Sequence, residues 1–184
     1  MEINYIESVK KQFLYYKKIG EQAMEQLNQE QLFQTFNEDS NSISIIVKHL
    51  SGNMLSRWTD FLTSDGEKTW RHRDQEFLDT FKNKAELMNK WNEGWTCLLN
   101  ALDTLKHADL ATVIYIRNEG LTVLEAINRQ SAHYPYHVGQ IVYAAKILKN
   151  GGWKSLSIPK NRSEDYNTNK FSKEKQRKHF TDEE

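Results

Sequence analysis

Residues that break regular structure are scarce in this chain, and their scarcity limits the folds open to it. Eight glycines and two prolines occur among 184 residues. Because these residue types interrupt helices, stretches of roughly twenty residues or more can stay helical. In four such stretches apolar residues recur every three or four positions, the period of an amphipathic helix. The sequence therefore predicts an all-α fold.

The four apolar stripes are bounded by recognisable helix signals. They fall at about residues 4–28, 43–61, 83–105 and 123–149. Asn83, followed by Glu86 three residues later, resembles a capping box at the start of the third helix. Asn150-Gly151-Gly152 stops the fourth. Four amphipathic helices of this length predict a four-helix bundle.

One segment between the third and fourth helices has the composition of extended chain. Residues 112–117 are β-branched and aromatic, Asn118-Glu119-Gly120 is a turn signal, and residues 121–123 could pair back. We expect a short hairpin insertion before the last helix.

The helical pattern fades after the fourth helix. We therefore expect a bundle domain over residues 1–152 and a C-terminal arm or tail over residues 153–184. The mixed charges of the last segment favour a solvated tail, and the alternative is an arm that wraps its own bundle or a partner subunit.

Charge and cysteine content bear on the partners and the compartment. The 25 basic and 25 acidic residues balance, which argues against nucleic acid or an anionic membrane as the main partner. The longest apolar runs are far too short for a membrane span, and the N-terminus lacks a signal-peptide pattern. The single Cys97 excludes an internal disulfide framework and fits a reducing compartment. We expect a cytoplasmic protein.

Two histidines in the fourth helix carry the clearest chemical signal. His133 and His137 are four residues apart, so on a helix they lie one above the other and could bind one metal ion. His49 in the second helix is a third candidate, and a helical wheel places all three beside the apolar stripes. The alternative is that they are ordinary histidines at the core boundary. Pro135 between the pair is expected to kink the helix or to free the carbonyl of Ser131, unless the kink is simply tolerated.

The remaining metal-binding residue types have simpler interpretations. His72 is expected in a loop, His107 near the end of the third helix and His179 in the tail. Cys97 lies opposite the apolar stripe of its helix, which predicts a surface or interface position and no role as a ligand.

Three segments together resemble the DinB/YfiT-like superfamily of metal-binding four-helix bundles. They are Val47-Lys48-His49-Leu50, the extended segment before the last helix, and the run from His133 to Gln140 with its His-x-x-x-His-x-Gly-Gln arrangement. Residues 70–77 further resemble an uncharacterised bacterial subfamily. The resemblance implies that His49, His133 and His137 bind a divalent metal, usually nickel or zinc, in a homodimer. Some members are S-transferases that use bacillithiol, mycothiol or glutathione.

The resemblance implies a chemistry for this site. Three neutral imidazoles leave coordination positions for water or a thiol, whose pKa a cation would lower. Asn53 and Gln140 are candidates to orient the ligands, although Gln140 could equally face solvent. Arg71 and Arg73 could bind an anionic thiol cofactor or form surface salt bridges. The catalytic residues stay unknown, because no carboxylate is well placed as a general base.

Three functions therefore remain open. The first is a metal-dependent thiol S-transferase acting on small electrophilic molecules. The second is a metal-dependent hydrolase on the same site. The third is a non-catalytic dimeric helical bundle in which the histidines only brace the core.

Overall fold

The computed structural model describes residues 4–182, and this part of the chain is mostly helical. The helices are α1 (Tyr5–Glu25), α2 (Gln29–Phe33), α3 (Ile43–Trp58), α4 (Lys84–Thr104), α5 (Val123–Lys149) and α6 (Ser163–Phe171). Short 3-10 turns span Arg73–Phe77 and His107–Ala111, and the strands are β1 (Val113–Ile116) and β2 (Glu119–Thr122). Within the described residues, no helix is both long enough and apolar enough to cross a membrane. The predicted helical class and small hairpin are confirmed, whereas α2 and α6 were not predicted.

Side-chain caps explain where the long helices begin. The side chains of Asn4, Ser42, Asn83 and Thr122 each accept a hydrogen bond from the backbone N–H three residues later. The predicted capping box at Asn83 is only half formed, because the Glu86 carboxylate accepts instead from the N–H of Lys82 at 2.8 Å. Complete capping boxes form at Thr122, where Glu125 closes the box, and at Asn28, where Gln31 does so.

The long helices α1 and α5 run in the same direction. Tyr5, at the start of α1, donates a hydrogen bond to Asn128 near the start of α5. Just beyond the end of α1, Gln31 donates to the carbonyl of Leu148 at 2.7 Å. Helix α3 packs on both α4 and α5, so residues of α3 and α5 can face each other.

Aromatic side chains fill the core where the long helices meet. The rings of Phe13 and Trp95 lie 5.8 and 6.0 Å from the buried ring of Tyr134, between centroids. The Tyr134 hydroxyl accepts a hydrogen bond from the Trp58 indole at 2.9 Å and donates one to Asn53 Oδ1 at 3.1 Å. Because its polar end is satisfied, Tyr134 can be fully buried, and it fixes α5 against α3.

The hairpin forms, but its turn lies earlier than predicted. Asn118-Glu119-Gly120 was the expected turn, whereas Arg117 and Asn118 form it, and Glu119 already pairs with Ile116. Both turn residues have positive φ, 56° and 60°, which the tight turns favoured by twisted hairpins require. Asn adopts that conformation readily, whereas Gly120 pairs with Tyr115 inside the ladder.

The segment after α5 contacts the rest of the chain near its beginning, at Trp153, and near its end, at His179 and Asp182. The Trp153 ring is partly buried against the core, and α6 is exposed. At the end, His179 Nε2 lies 3.1 Å from Ser8 Oγ, and Asp182 pairs with Lys11 at 2.7 Å. His179 and Asp182 thus contact α1 of the same chain, whereas α6 lies exposed.

Asp65 joins the loop after α3 to the hairpin, so removing its charge is expected to loosen both. Its carboxylate accepts from the backbone N–H groups of Arg117 and Asn118, both at 2.9 Å, and these bonds hold its pKa below the usual value. We expect Asp65→Asn to lower the free energy of unfolding by about 1 kcal/mol near neutral pH. The bonds to the backbone stabilise the folded protein only while the Asp65 carboxylate is ionised. The difference in stability between wild type and Asp65→Asn should therefore vanish as pH falls through the lowered pKa.

Urea unfolding of wild type and Asp65→Asn at several pH values tests this expectation. Asp39→Asn, in another exposed loop, removes the same charge and should change stability little. Equal stability of Asp65→Asn and wild type at neutral pH would show that the carboxylate does not anchor the hairpin.

Candidate metal centre

Three histidines from two helices converge on one point. His133 and His137 stand one turn apart on α5, and their Nε2 atoms are 3.1 Å apart. The ring of His49 on α3 lies 4.9 Å from that of His137 and 5.7 Å from that of His133. One ring nitrogen from each lies within 4.8 Å of the others. Nitrogens that share one ion at about 2.0–2.1 Å lie roughly 3–4 Å apart, so small side-chain rotations would complete such a set.

Each of the three rings is oriented by an oxygen acceptor at its other nitrogen. Nδ1 of His133 lies 3.1 Å from Gln130 Oε1, and Nδ1 of His137 lies 2.8 Å from Gln140 Oε1. Nδ1 of His49 lies 2.9 Å from the carboxylate of Glu76. An oxygen acceptor requires the proton on Nδ1, which leaves the Nε2 lone pair of each neutral ring free to bind a cation.

The protonation state of the α5 pair also suits a metal ligand. Burial lowers the pKa of His133 to about 4, and the neighbouring His137 and His49 add to the shift. Burial likewise lowers the pKa of His137, against the opposing hydrogen bond to Gln140. At neutral pH both imidazoles are therefore uncharged, and two unprotonated nitrogens 3.1 Å apart repel unless a cation lies between them. The donor set fits a divalent metal that accepts imidazole, such as nickel or zinc.

Glu76 is a site residue that sequence reasoning missed. It lies in the 3-10 turn after α3, is buried, and receives two bonds from Arg71, Nε–Oε1 at 2.7 Å and Nη2–Oε2 at 3.0 Å. Burial alone would raise its pKa, but the bonds from His49 and Arg71 outweigh burial and hold the pKa below its usual value. The only sequence signal for Glu76 was its place in the motif of residues 70–77. A loop has no periodic pattern, so the sequence did not indicate which side chain Glu76 would contact.

Arg71 is buried and forms ion pairs inside the protein. Its guanidinium binds Glu76 and also lies 3.3 Å from Glu67, which in turn pairs with Arg57 at 2.9 Å. Arg71 therefore forms salt bridges, as one interpretation expected, but they are buried and not at the surface. Arg73 differs in being exposed, with its guanidinium 5.0 Å from the centroid of the Phe77 ring.

Glycine at position 52 allows Glu76 to approach α3. A Cβ atom at Gly52 would lie 2.3 Å from Glu76 Oε1, far closer than atoms can pack. Gly52 lies three residues after His49 on α3, so both face the same side of the helix. Because Gly52 has no side chain, it leaves room there for the carboxylate that orients His49.

The two residues proposed to orient ligands lie in different surroundings. Gln140 contacts His137, whereas Asn53 accepts from the Tyr134 hydroxyl beneath the site. Gln130, which shares the polar flank of α5, holds His133 and is 2% exposed. Helix α5 continues without a break through Pro135.

The other histidines and the cysteine lie outside the cluster. His72 is in the loop, His107 begins a 3-10 turn beyond α4, and His179 contacts α1. Cys97 is half-buried between α3 and α4, with Sγ 3.6 Å from Thr59 Oγ1, and burial raises the pKa of its thiol.

Comparison with known proteins identifies the family. The chain belongs to a family of proteins of unknown function, DUF1572, whose model matches residues 1–162. A search of curated proteins found no significant match, and neither did a search of solved structures. The matched range includes every residue of the histidine cluster and ends before α6.

Gly52→Ala is expected to weaken metal binding through Glu76. The added methyl must displace the carboxylate, so His49 loses the partner that orients it. Loss of such a partner typically lowers metal affinity about 10–100-fold. Titration of Zn²⁺ or Ni²⁺ against a competing chelator measures the change.

Gly139→Ala is the matched control for this substitution. Gly139 is exposed on α5 two residues after His137, and a Cβ there would meet nothing within 4 Å. We expect unchanged metal affinity and, from helix propensity, a stability gain of up to about 1 kcal/mol. Unaltered metal binding by Gly52→Ala would contradict the role assigned to Glu76.

Proposed function

We propose that this DUF1572 protein is a divalent-metal-dependent enzyme of the DinB-like class, with His49, His133 and His137 as the ligands. The observation that carries the proposal is the convergence of the three rings. Each has Nδ1 at an oxygen acceptor, Nε2 of His133 and His137 lie 3.1 Å apart, and one ring nitrogen of each histidine lies within 4.8 Å of the others. The arrangement of four long helices, with ligands from α3 and α5, supports assignment to a DinB-like four-helix bundle. A cytoplasmic homodimer is part of the same proposal.

The reaction we favour is transfer of a small thiol, of the bacillithiol type, to an electrophilic small molecule. A Ni²⁺ or Zn²⁺ ion bound by the three imidazoles would lower the pKa of a thiol in its remaining coordination position and so supply a nucleophile near neutral pH. Gln130, Gln140 and Glu76 accept the Nδ1 protons of the ligand rings and hold the rings in orientation. The ring of Phe77 stacks on that of His49 at 5.2 Å, and the exposed Tyr136 ring lies 4.9 Å from that of His137.

The surroundings of Glu76 favour this reaction over one that needs a protein base. Its two oxygens are engaged by His49 Nδ1 and by both nitrogens of the Arg71 fork. Its lowered pKa makes it a weak acceptor for a substrate proton. A thiol has a low enough pKa to lose its proton without a protein base. Such a substrate suits this site better than one that a neighbouring side chain must deprotonate.

Metal binding is expected to stabilise the wild-type protein and not the His137→Ala variant. At a free metal concentration 100 times the dissociation constant, the gain should be about 2.7 kcal/mol. For a chain of this size this corresponds to a rise in melting temperature of roughly 5–10 °C. Thermal melts with Zn²⁺ or Ni²⁺, before and after EDTA treatment, measure it.

His107→Ala is the control, because His107 is exposed and remote from the cluster. It should keep the full metal-dependent gain. If EDTA leaves the melting temperature unchanged, or if His137→Ala keeps the gain, the histidines only brace the core and the protein is a non-catalytic bundle.

Thiol conjugation should depend on both the metal and the thiol. We expect metal-loaded wild type to consume an electrophile such as a chloro-dinitrobenzene together with bacillithiol or glutathione, at least tenfold faster than the EDTA-treated protein or His133→Ala. An absorbance assay of the conjugate measures this rate. Turnover of esters or amides without any thiol would instead support the hydrolase, and chelator-insensitive conjugation would reject both enzymes.

A further inference from the structure

The buried and half-buried charges of the ion-pair network beside His49 cancel one another. Glu76 and Glu67 are matched by Arg71 and Arg57 through bonds of 2.7–3.3 Å. The three histidines are neutral ligands. A divalent cation among them would therefore keep its full positive charge with respect to the protein, and an anionic ligand would be favoured in the open position.

Two exposed arginines add further positive charge at the edge of the site. Arg129 precedes His133 by four residues on α5, so the two side chains are neighbours on one face of the helix. Arg73 approaches from the other side, with its guanidinium over the Phe77 ring that stacks on His49.

Neither arginine is neutralised by a carboxylate. Among residues 4–182 the ion-paired arginines are Arg57, Arg71, Arg117 and Arg162. Glu125, one turn before Arg129, is engaged instead by the backbone N–H and hydroxyl of Thr122, both at 2.7 Å. Asp74 follows Arg73 but forms no ion pair with it within the same part of the chain. Arg129 and Arg73 are therefore available for an external anion.

We propose that Arg129, assisted by Arg73, selects ligands that carry an anionic oxygen group in addition to the atom that binds the metal. The proposal rests on the proposed metal function and narrows its substrate class to small thiols that bear a carboxylate or a similar anion. Arginine suits this role because its planar fork matches the two oxygens of such a group. A metal held by the three histidines would bind the sulfur of the ligand. The arginine would bind the anionic group of the same ligand.

The test uses Co²⁺-loaded protein, whose visible absorption changes when a thiolate binds the metal. Three thiols of similar size are titrated: mercaptopropionate (anionic), mercaptoethanol (neutral) and cysteamine (cationic). The measured quantity is the ratio of dissociation constants for the neutral and the anionic thiol. Comparing this ratio between variants cancels the intrinsic metal affinity of each thiol.

We expect wild type to prefer the anionic thiol and Arg129→Ala to reduce that preference about threefold to tenfold, as suits an exposed pair. Arg129→Lys should keep part of it, and high salt should weaken the wild-type preference. Arg177→Ala is the control, since it removes the same charge from the exposed C-terminal segment. Its ratio should equal that of wild type.

The possible failures are distinguishable. If the wild type takes up no Co²⁺, the metal function is wrong and this inference falls with it. If Co²⁺ binds, but Arg129→Ala keeps the wild-type ratio or Arg177→Ala changes it equally, the metal function stands and Arg129 has no role in selectivity. A wild type that favours cysteamine would likewise overturn the proposal.

Discussion

The pairing of Glu76 with His49 and Arg71 is the interaction on which the site depends. A carboxylate taken out of water costs several kcal/mol unless its bonds replace those to solvent, and here His49 and Arg71 use both of its oxygens. Arg71 in turn shares Glu67 with Arg57. Breaking one member of such a set leaves an uncompensated buried charge, at a cost of about 3–5 kcal/mol. The irregular segment between α3 and α4 is therefore fixed to α3 by charge, and its Glu76 orients a candidate metal ligand.

The other half of the site is positioned by the core. His133 and His137 flank Tyr134 in sequence, and Tyr134 is fully buried with its hydroxyl tied to Trp58 and Asn53 of α3. Since α5 cannot slide along α3 without breaking these bonds, the relative heights of the α3 and α5 ligands are set by packing. The cluster is thus held together by groups that do not themselves touch a metal, which is the preorganisation that a binding site needs.

Local signals in the sequence were sufficient for the four long helices and for the neighbouring positions of His133 and His137, because caps, periodicity and i, i+4 spacing act over a few residues. Glu76 could not be predicted in this way, since it meets His49 across 27 positions of chain with no repeating pattern. The bond between Asn53 and Tyr134 was missed for a related reason: a helical wheel gives the flank of a helix but not the partner that faces it. The hairpin turn was displaced because Gly120 gave the stronger turn signal, whereas the register places the positive φ values at Arg117 and Asn118.

The three imidazoles differ in burial and in hydrogen-bond partner, so the two sides of the site are not equivalent. His49 is buried and bonds to a charged carboxylate, while His133 and His137 are half-buried and bond to neutral amides. Charge-assisted bonds are roughly twice as strong as neutral ones, so His49 is the most firmly held of the three rings. The half-buried rings of His133 and His137 mark the more exposed side of the cluster. Arg129 lies one turn from His133, so an anion would be attracted to that side.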